Sequence, residues 1–452
     1  MPTRLSVDAT PVARGLRSAI DLDALAVAAP LLTLLIVAIL REGAFFRPDI
    51  VVSPALVLAL ALSTPQVRAW CRQNLAAVAA GVIATGWWIG DALLSHHSVD
   101  SWRLPSAWLC MAAGYGCARS LTPAGRRVAQ GGVAVTGVAL AIAGLVLVGV
   151  RATLWTLPDE RSLRFSGPFT YPSAVGLFLV LALIAGTEFS AARPVTFARA
   201  VTVLGIVATD SRGAVVGLAV ALCFRNVRRE LGTAVVAAII GAPLLLLGQR
   251  AHDSHVLVFA AVVVAFGLTL IPDAVVRRFV RFAAIPAAGV VGWLLVTQHH
   301  AVSGFDASWT ERGDILRGAA HVFRAHPLLG AGPDPAFAAH TLTGQAGIAY
   351  FTHNEPVEIA ISVGILGALV LTICAVIVAR ALARGRGELA VPVLASVAAA
   401  GLVDFVWHFP ALGLAAGIVA GASTVGAWNK QAGNRAQQPA PHPPTPSNPS
   451  AS

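Results

Sequence analysis

Residues 352–379 read THNEPVEIAISVGILGALVLTICAVIVA, a histidine-asparagine step that runs straight into an apolar helix. The apolar part, from about Pro356 to Ala379, is long enough to cross a hydrocarbon core of roughly 30 Å at about 1.5 Å per residue. Before it lies a long polar stretch, 299–355. There Ile315, Leu316, Ala319, Val322 and Phe323 recur at helical spacing with Arg312, Asp314, Arg317 and Arg324 among them, which predicts a short amphipathic helix. Ser308 and Glu311 stand at capping-box spacing and mark its expected start. It should end near His326, because Pro327-Leu-Leu-Gly330-Ala-Gly332-Pro333 is turn chemistry. A histidine at the mouth of a membrane helix, facing a cationic amphipathic helix, points to an anionic substrate bound at the membrane surface.

Outward from this stretch the chain reads as membrane. Of 452 residues, 56% are hydrophobic and 12% charged, and mean hydropathy is +0.74, which excludes an ordinary soluble domain. About fourteen apolar stretches recur, near residues 24–40, 50–63, 75–94, 106–118, 131–150, 172–188, 195–209, 213–224, 231–248, 256–271, 282–298, 356–379, 390–407 and 410–427. Several are shorter than the roughly 20 residues of a full span. The expected fold is all-α, a polytopic integral membrane helical bundle of about 12 to 14 transmembrane helices with one large extracytoplasmic loop carrying short amphipathic helices. The expected organisation is a cytoplasmic N-terminal segment 1–23, a transmembrane domain 24–428 containing the extracytoplasmic loop 299–355, and a tail 429–452. That tail is rich in Pro, Ser, Asn and Gln, lacks an apolar period and is expected to be disordered. The first apolar run lacks a convincing small-residue cleavage site and reads as a retained span.

Net charge is +10, but the arginines cluster in short loops between spans, so they read as topogenic and not as a nucleic-acid surface. With the N terminus inside, Arg68 with Arg72, Arg119 with Arg126 and Arg127, Arg225 with Arg228 and Arg229, Arg277 with Arg278 and Arg281, and Arg380 with Arg384 and Arg386 all fall on the cytoplasmic side. The 299–355 loop then lies outside. Between Arg199 and Arg225 about 25 residues supply roughly 40 Å of helix, whereas two crossings need about 60 Å. Arg212 therefore sits either in a recessed hairpin or inside one tilted span, and an arginine where solvent is poor pairs with a counter-charge or marks a pathway. Cys71, Cys110, Cys117, Cys223 and Cys374 form no CxxC pair and read as apolar packing residues.

Three groups of residues now resemble a known family. Arg312-Gly-Asp-Ile-Leu-Arg-Gly-Ala-Ala, His326-Pro-Leu-Leu-Gly-Ala-Gly332, His353-Asn354 and Gly364-Ile-Leu-Gly367 resemble the signature region of the bacterial O-antigen ligase and polymerase superfamily. Thr209-Asp-Ser211-Arg212-Gly213 resembles its Ser-Arg-Gly element, and Arg164-Phe-Ser-Gly167-Pro-Phe-Thr-Tyr-Pro172 an earlier external loop; together the resemblance spans roughly residues 160–420. It implies a glycosyltransferase of the cytoplasmic (inner) membrane with its active site on the extracytoplasmic side. The donor would be a glycan on polyprenyl (undecaprenyl) diphosphate, and the acceptor a lipid such as lipid A core or, in polymerases, another glycan. The family's functional residues map to Arg212, Arg312 and His353. Two positions depart from the pattern: Ser173 where many relatives have Asn, and Ser362 in place of a frequent Glu.

The chemistry fits these residue types. A departing diphosphate needs guanidinium groups, which bind phosphate bidentately and stay charged, and an imidazole, which ordinarily titrates near neutrality, suits a general base on the acceptor hydroxyl. Arg212, Arg312 and His353 are the expected catalytic residues; Arg164, Arg317, Asn354, Glu358 and His408 are candidates for substrate binding. Each has a plainer reading: a snorkelling or solvated arginine, a helix-capping histidine, a structural His408, and for Glu355 and Glu358 carboxylates that complement a helix N-terminus. Glu42 and Asp49 in the first external loop are widely spaced beside Arg41 and Arg47, and no HExxH pattern or His/Cys cluster occurs, so metal-independent chemistry without a cofactor is expected. The expected partners are the lipid-linked donor, the acceptor and membrane lipids, with no nucleic acid. The rival class is a transporter of lipid-linked glycans, which would show internal repeats and a midplane site; here ionisable residues crowd toward one face.

Overall fold

A computed structural model describes residues 22–46, 49–94, 102–159, 162–189, 192–250, 254–271, 304–333, 335–340, 346–349, 351–383 and 388–423. The helices in chain order are α1 (Leu22–Leu40), α2 (Asp49–Ser63), α3 (Pro65–Gln73), α4 (Leu75–Leu94), α5 (Arg103–Ser120), α6 (Pro123–Gly149), α7 (Pro172–Gly186), α8 (Arg193–Thr209), α9 (Arg212–Cys223), α10 (Arg225–Arg250), α11 (Ser254–Leu270), α12 (Gly304–Ala325), α13 (Glu355–Ala383), α14 (Ala390–Gly401) and α15 (Pro410–Ala422). Among the described residues, α4, α6, α10 and α13 are long and apolar enough to cross a membrane, and α2 with α3 forms a further apolar pair bent by 89°. Each expected apolar stretch on described residues is at least partly helical; the stretch 282–298, the segment 1–21 and the tail from 424 lie outside them.

At the centre stands α7, all fifteen of whose residues are buried. A helix apolar on every side can only sit among other helices, and α6, α8, α9, α14 and α15 pack around it. Small residues let backbones approach without the hydrophobic drive that water would give. On α15, Gly413, Gly417 and Gly421 recur every fourth residue along one stripe. A Cβ at these positions would run into the carbonyl oxygens of Ala107, Met111 and Tyr115 on α5.

Four findings depart from the sequence reading. First, the fold is not purely helical, because two antiparallel hairpins occur, β1 (Thr156–Asp159) with β2 (Ser162–Phe165) and β3 (Phe337–His340) with β4 (Ala346–Ala349). In β2, Leu163 and Phe165 are buried and Arg164 between them faces the other way, the alternation a strand requires. Second, α12 begins at Gly304, so Ser308 lies inside the helix and does not open it. Its apolar face packs as expected, Ile315 and Ala319 against Phe337 and Ile361, flanked by Val322, Phe323, Ala349 and Val357; Leu316 is exposed instead. Third, the stretch 390–407 stops being helical at Gly401, and residues 402–409 form an irregular link. Carboxylates replace the lost helical partners: Asp404 Oδ1 accepts from the Phe405 N–H at 2.9 Å and Glu355 Oε1 from the Trp407 N–H at 2.6 Å, which is what irregular backbone inside a membrane protein needs.

The fourth is a break in α13 at Gly364, where φ is +64° and ψ −172°, a region that only glycine occupies readily. The 327–332 turn fills it. The N–H groups of Ala331 and Gly332 donate to the carbonyls of Ile361 and Ser362 at 2.9 and 3.0 Å, while those of Ile365 and Leu366 donate to Pro327 and Leu328 at 2.9 and 3.1 Å. The loop thus restores the hydrogen bonds that the helix gives up, fixing α12 to the helix that presents His353.

Candidate active site

His353 closes the short link before α13. Its φ is +53°, a left-handed conformation that non-glycine residues adopt at a cost and that clusters at functional sites. Neighbouring side chains hold it there. Thr352 donates its N–H to Glu358 Oε2 and its hydroxyl to the Asn354 carbonyl, both at 2.8 Å. Asn354 accepts the Val357 N–H at 3.0 Å, capping α13, and donates Nδ2 to the Leu402 carbonyl at 2.7 Å. Thr352 therefore builds the loop, and Asn354 also joins it to the 402–409 link.

The imidazole of His353 meets a carboxylate that the sequence reading missed. Nδ1 stands 3.1 Å from Asp404 Oδ1. Tyr171, just before α7, donates its hydroxyl to the same oxygen, and Ser173, in the first turn of α7, donates to Oδ2 at 2.5 Å. With the Phe405 N–H this gives a buried carboxylate four donors. Burial pushes the Asp404 carboxyl up, but the hydrogen bond and charge of His353 and the bonds from Ser173 and Tyr171 outweigh it, leaving the group ionised below its ordinary range. A carboxylate takes Nδ1–H, so the acceptor lone pair lies on Nε2. Phe405 packs on His353, Tyr171 and Phe351 with ring centroids 5.2, 4.5 and 4.5 Å away, walling one side of the pair with apolar surface.

Arg212 stands at the turn between α8 and α9. α8 ends in a left-handed Asp210, φ +50°, and Ser211 caps α9 by accepting the Ala214 N–H at 3.1 Å, so half-buried Arg212 is the first residue of α9. These helices have 17 and 12 residues, each shorter than a roughly 20-residue span. Gly213 brings this turn onto Asp404: a Cβ there would stand 3.4 Å from the Asp404 Cβ. Arg164 donates Nη2 to the Asp210 carbonyl at 3.0 Å and Nε to that of Thr209 at 3.4 Å, bracing the same turn. Behind it, buried Gln249 donates to the carbonyls of Leu163 and Ala208 at 3.0 and 2.9 Å.

The structure thus brings His353 and the turn that carries Arg212 against Asp404, with Arg164 bracing that turn and Asn354 tied to Leu402. Arg312 lies on α12, whose packing against α13 is described above, but its side chain falls outside the described residues. Arg317 is largely exposed and pairs with Asp314 on its own helix. Glu358 and His408 are buried; Glu358 holds Thr352, and His408 Nδ1 lies 3.3 Å from Glu355. Asp49 pairs with Arg41 at 3.1 Å, and among the described residues no group of three His, Cys, Asp or Glu could hold a metal ion.

Asp404 lies in no motif, and its only signal in the sequence was an acidic residue within an apolar stretch. Tyr171 and Ser173 stood within or beside a quoted motif without a role.

Residues 197–372 match the model of the O-antigen ligase family. That segment holds Arg212, Arg312, His353, the 327–332 turn and Gly364; Arg164, Tyr171, Ser173, Asp404 and His408 lie beyond it. No curated protein matches the chain.

Proposed function

We propose, for a chain whose O-antigen ligase domain supports its place in the O-antigen ligase and polymerase superfamily, that it transfers a glycan from polyprenyl diphosphate to an acceptor hydroxyl at the outer face of the cytoplasmic membrane. In this reading the bundle has about 12 to 14 spans and the 299–355 loop lies outside the cell. His353 Nε2 takes the proton of the acceptor hydroxyl as its oxygen bonds to the sugar C1. The C1–oxygen bond to the diphosphate breaks, and the departing polyprenyl diphosphate carries away that electron pair. Arg212 and Arg312 offset the charge that develops on it. Asp404 holds the imidazole tautomer and stabilises the imidazolium that forms. No metal takes part in the step.

The observation that carries this reading is the His353–Asp404 pair on strained backbone, with the Arg212 turn packed against the same carboxylate. Its test is transfer by purified protein from a polyprenyl-diphosphate glycan to candidate acceptors in EDTA, comparing wild type with His353→Ala. Product from wild type alone supports the reading, and the acceptor that works, lipid A core or a glycan chain, separates a lipopolysaccharide ligase from a polymerase. Donor bound by wild type without product on any acceptor would move the reading to a lipid-linked glycan transporter.

A further inference from the structure

The segment that carries His353 and the link that carries Asp404 are joined a second time, with the roles exchanged. Residues 351–358 supply His353 to Asp404 and Glu355 to His408; residues 402–409 supply Asp404 to His353 and His408 to Glu355. The second pair is the more deeply buried, with side-chain exposures of 1% for His408 and 0% for Glu355, against 30% for His353. Glu355 also receives the Trp407 N–H, and the Phe351 ring stands edge-on to His408 at 5.6 Å.

We propose that Glu355 and His408 are a positioning pair for His353, which sets the register of the two segments and so holds the base against Asp404. The proposal rests on the transfer reading above. His408, a candidate substrate ligand in the sequence, lies beneath the site in this role and touches no substrate. The physical need is plain. A left-handed histidine persists only when its surroundings over-determine it, and Asp404 grips only the imidazole. The backbone is fixed by Asn354 on Leu402 and by Glu355, two residues past His353, on both Trp407 and His408. Burying an acid and a histidine is costly compared with apolar packing, and apolar side chains would not fix a hydrogen-bond register.

The test is steady-state transfer by full-length protein in lipid nanodiscs with a polyprenyl-diphosphate glycan donor. It compares wild type, Glu355→Leu, His408→Leu, the double variant and His353→Ala, each checked for monodisperse elution and thermal transition. A displaced base lowers the rate by up to about 100-fold without loosening the donor. Glu355→Leu and His408→Leu, which remove the hydrogen bonds between the two segments, should therefore lower kcat about 10- to 100-fold with donor KM within about threefold. The double variant should be no worse than the poorer single one, as residues acting as a unit are non-additive. It replaces the buried acid and histidine with two apolar side chains and leaves neither partner buried alone, so it keeps the test available if a single variant does not fold. Folded variants of the pair with more than half of wild-type kcat beside an inactive His353→Ala would overturn the positioning role and leave the transfer reading standing. An active His353→Ala would overturn the transfer reading itself.

Discussion

Asp404→Asn removes a buried charge while keeping its shape. The amide oxygen best replaces Oδ1, which serves Tyr171, the Phe405 N–H and His353, and leaves the amide nitrogen facing Ser173, whose hydroxyl can turn to accept. The fold is thereby largely spared. What is lost is the attraction between carboxylate and imidazolium in the transition state. At 3.1 Å with an effective dielectric constant near 20, that attraction is about 5 kcal/mol, and the remaining neutral hydrogen bond returns about 1 kcal/mol. A net loss of about 3 to 4 kcal/mol corresponds to a fall in kcat of about 10²- to 10³-fold. Single-turnover transfer by purified variant, with donor binding measured separately, gives the number. A folded Asp404→Asn within about threefold of wild type would refute the role assigned to this carboxylate. Linkage adds a second readout. The carboxyl is held below its unfolded value near 3.9, so its stabilisation is complete above that value and is lost as pH falls through the lowered pKa. The gap in thermal transition between wild type and Asp404→Asn should stay constant from about pH 5 to 8 and close in stronger acid.

Further outcomes follow from the same geometry. Arg212→Lys keeps the charge but loses the planar fork, and should lower kcat/KM for the donor at least about tenfold; an unchanged value would mean that the diphosphate is held elsewhere. Gly364→Ala puts a Cβ against the Leu328 carbonyl at a backbone angle costing about 1 to 3 kcal/mol, and Gly330→Ala does the same against Ser362. Each should lower the thermal transition by several degrees, and wild-type stability in either would show that the turn does not occupy the break. Gly417→Leu should separate α15 from α5 and reduce the yield of monodisperse protein, measured by size exclusion in detergent.

Much of the fold was legible because membrane helices announce themselves by run length and the absence of charge. Where the reading failed, the competing cause is visible. The link 402–409 is as apolar as a helix, yet Glu355 and Asp404 satisfy two of its N–H groups. One of those partners lies some fifty residues away, and no local pattern carries that information. Hairpin strands of four residues are too short for periodicity to register. The Arg317 pairing with Asp314, by contrast, follows from i,i+3 spacing and was available from the outset.

The site was legible only where residues cluster along the chain. His353-Asn354 and Ser211-Arg212 could be quoted as motifs because each lies in a few consecutive residues; the carboxylate that pairs with His353 and packs beside Gly213 could not, since Asp404 is fifty-one residues beyond His353 and outside the matched domain. What joins them is the fully buried helix α7, at whose N-terminal end Ser173 and the preceding Tyr171 reach Asp404. A helix with no lipid-facing side is fixed by every neighbour, so its first turn is a rigid place from which to aim donors at a buried carboxylate. The turn inserted at Gly364 does the corresponding work for α13, tying the arginine-bearing α12 to the helix that opens at His353. In the proposed transfer, the arginines for the diphosphate and the histidine for the acceptor proton are then carried on elements packed against one another, which is what a displacement at a single carbon requires.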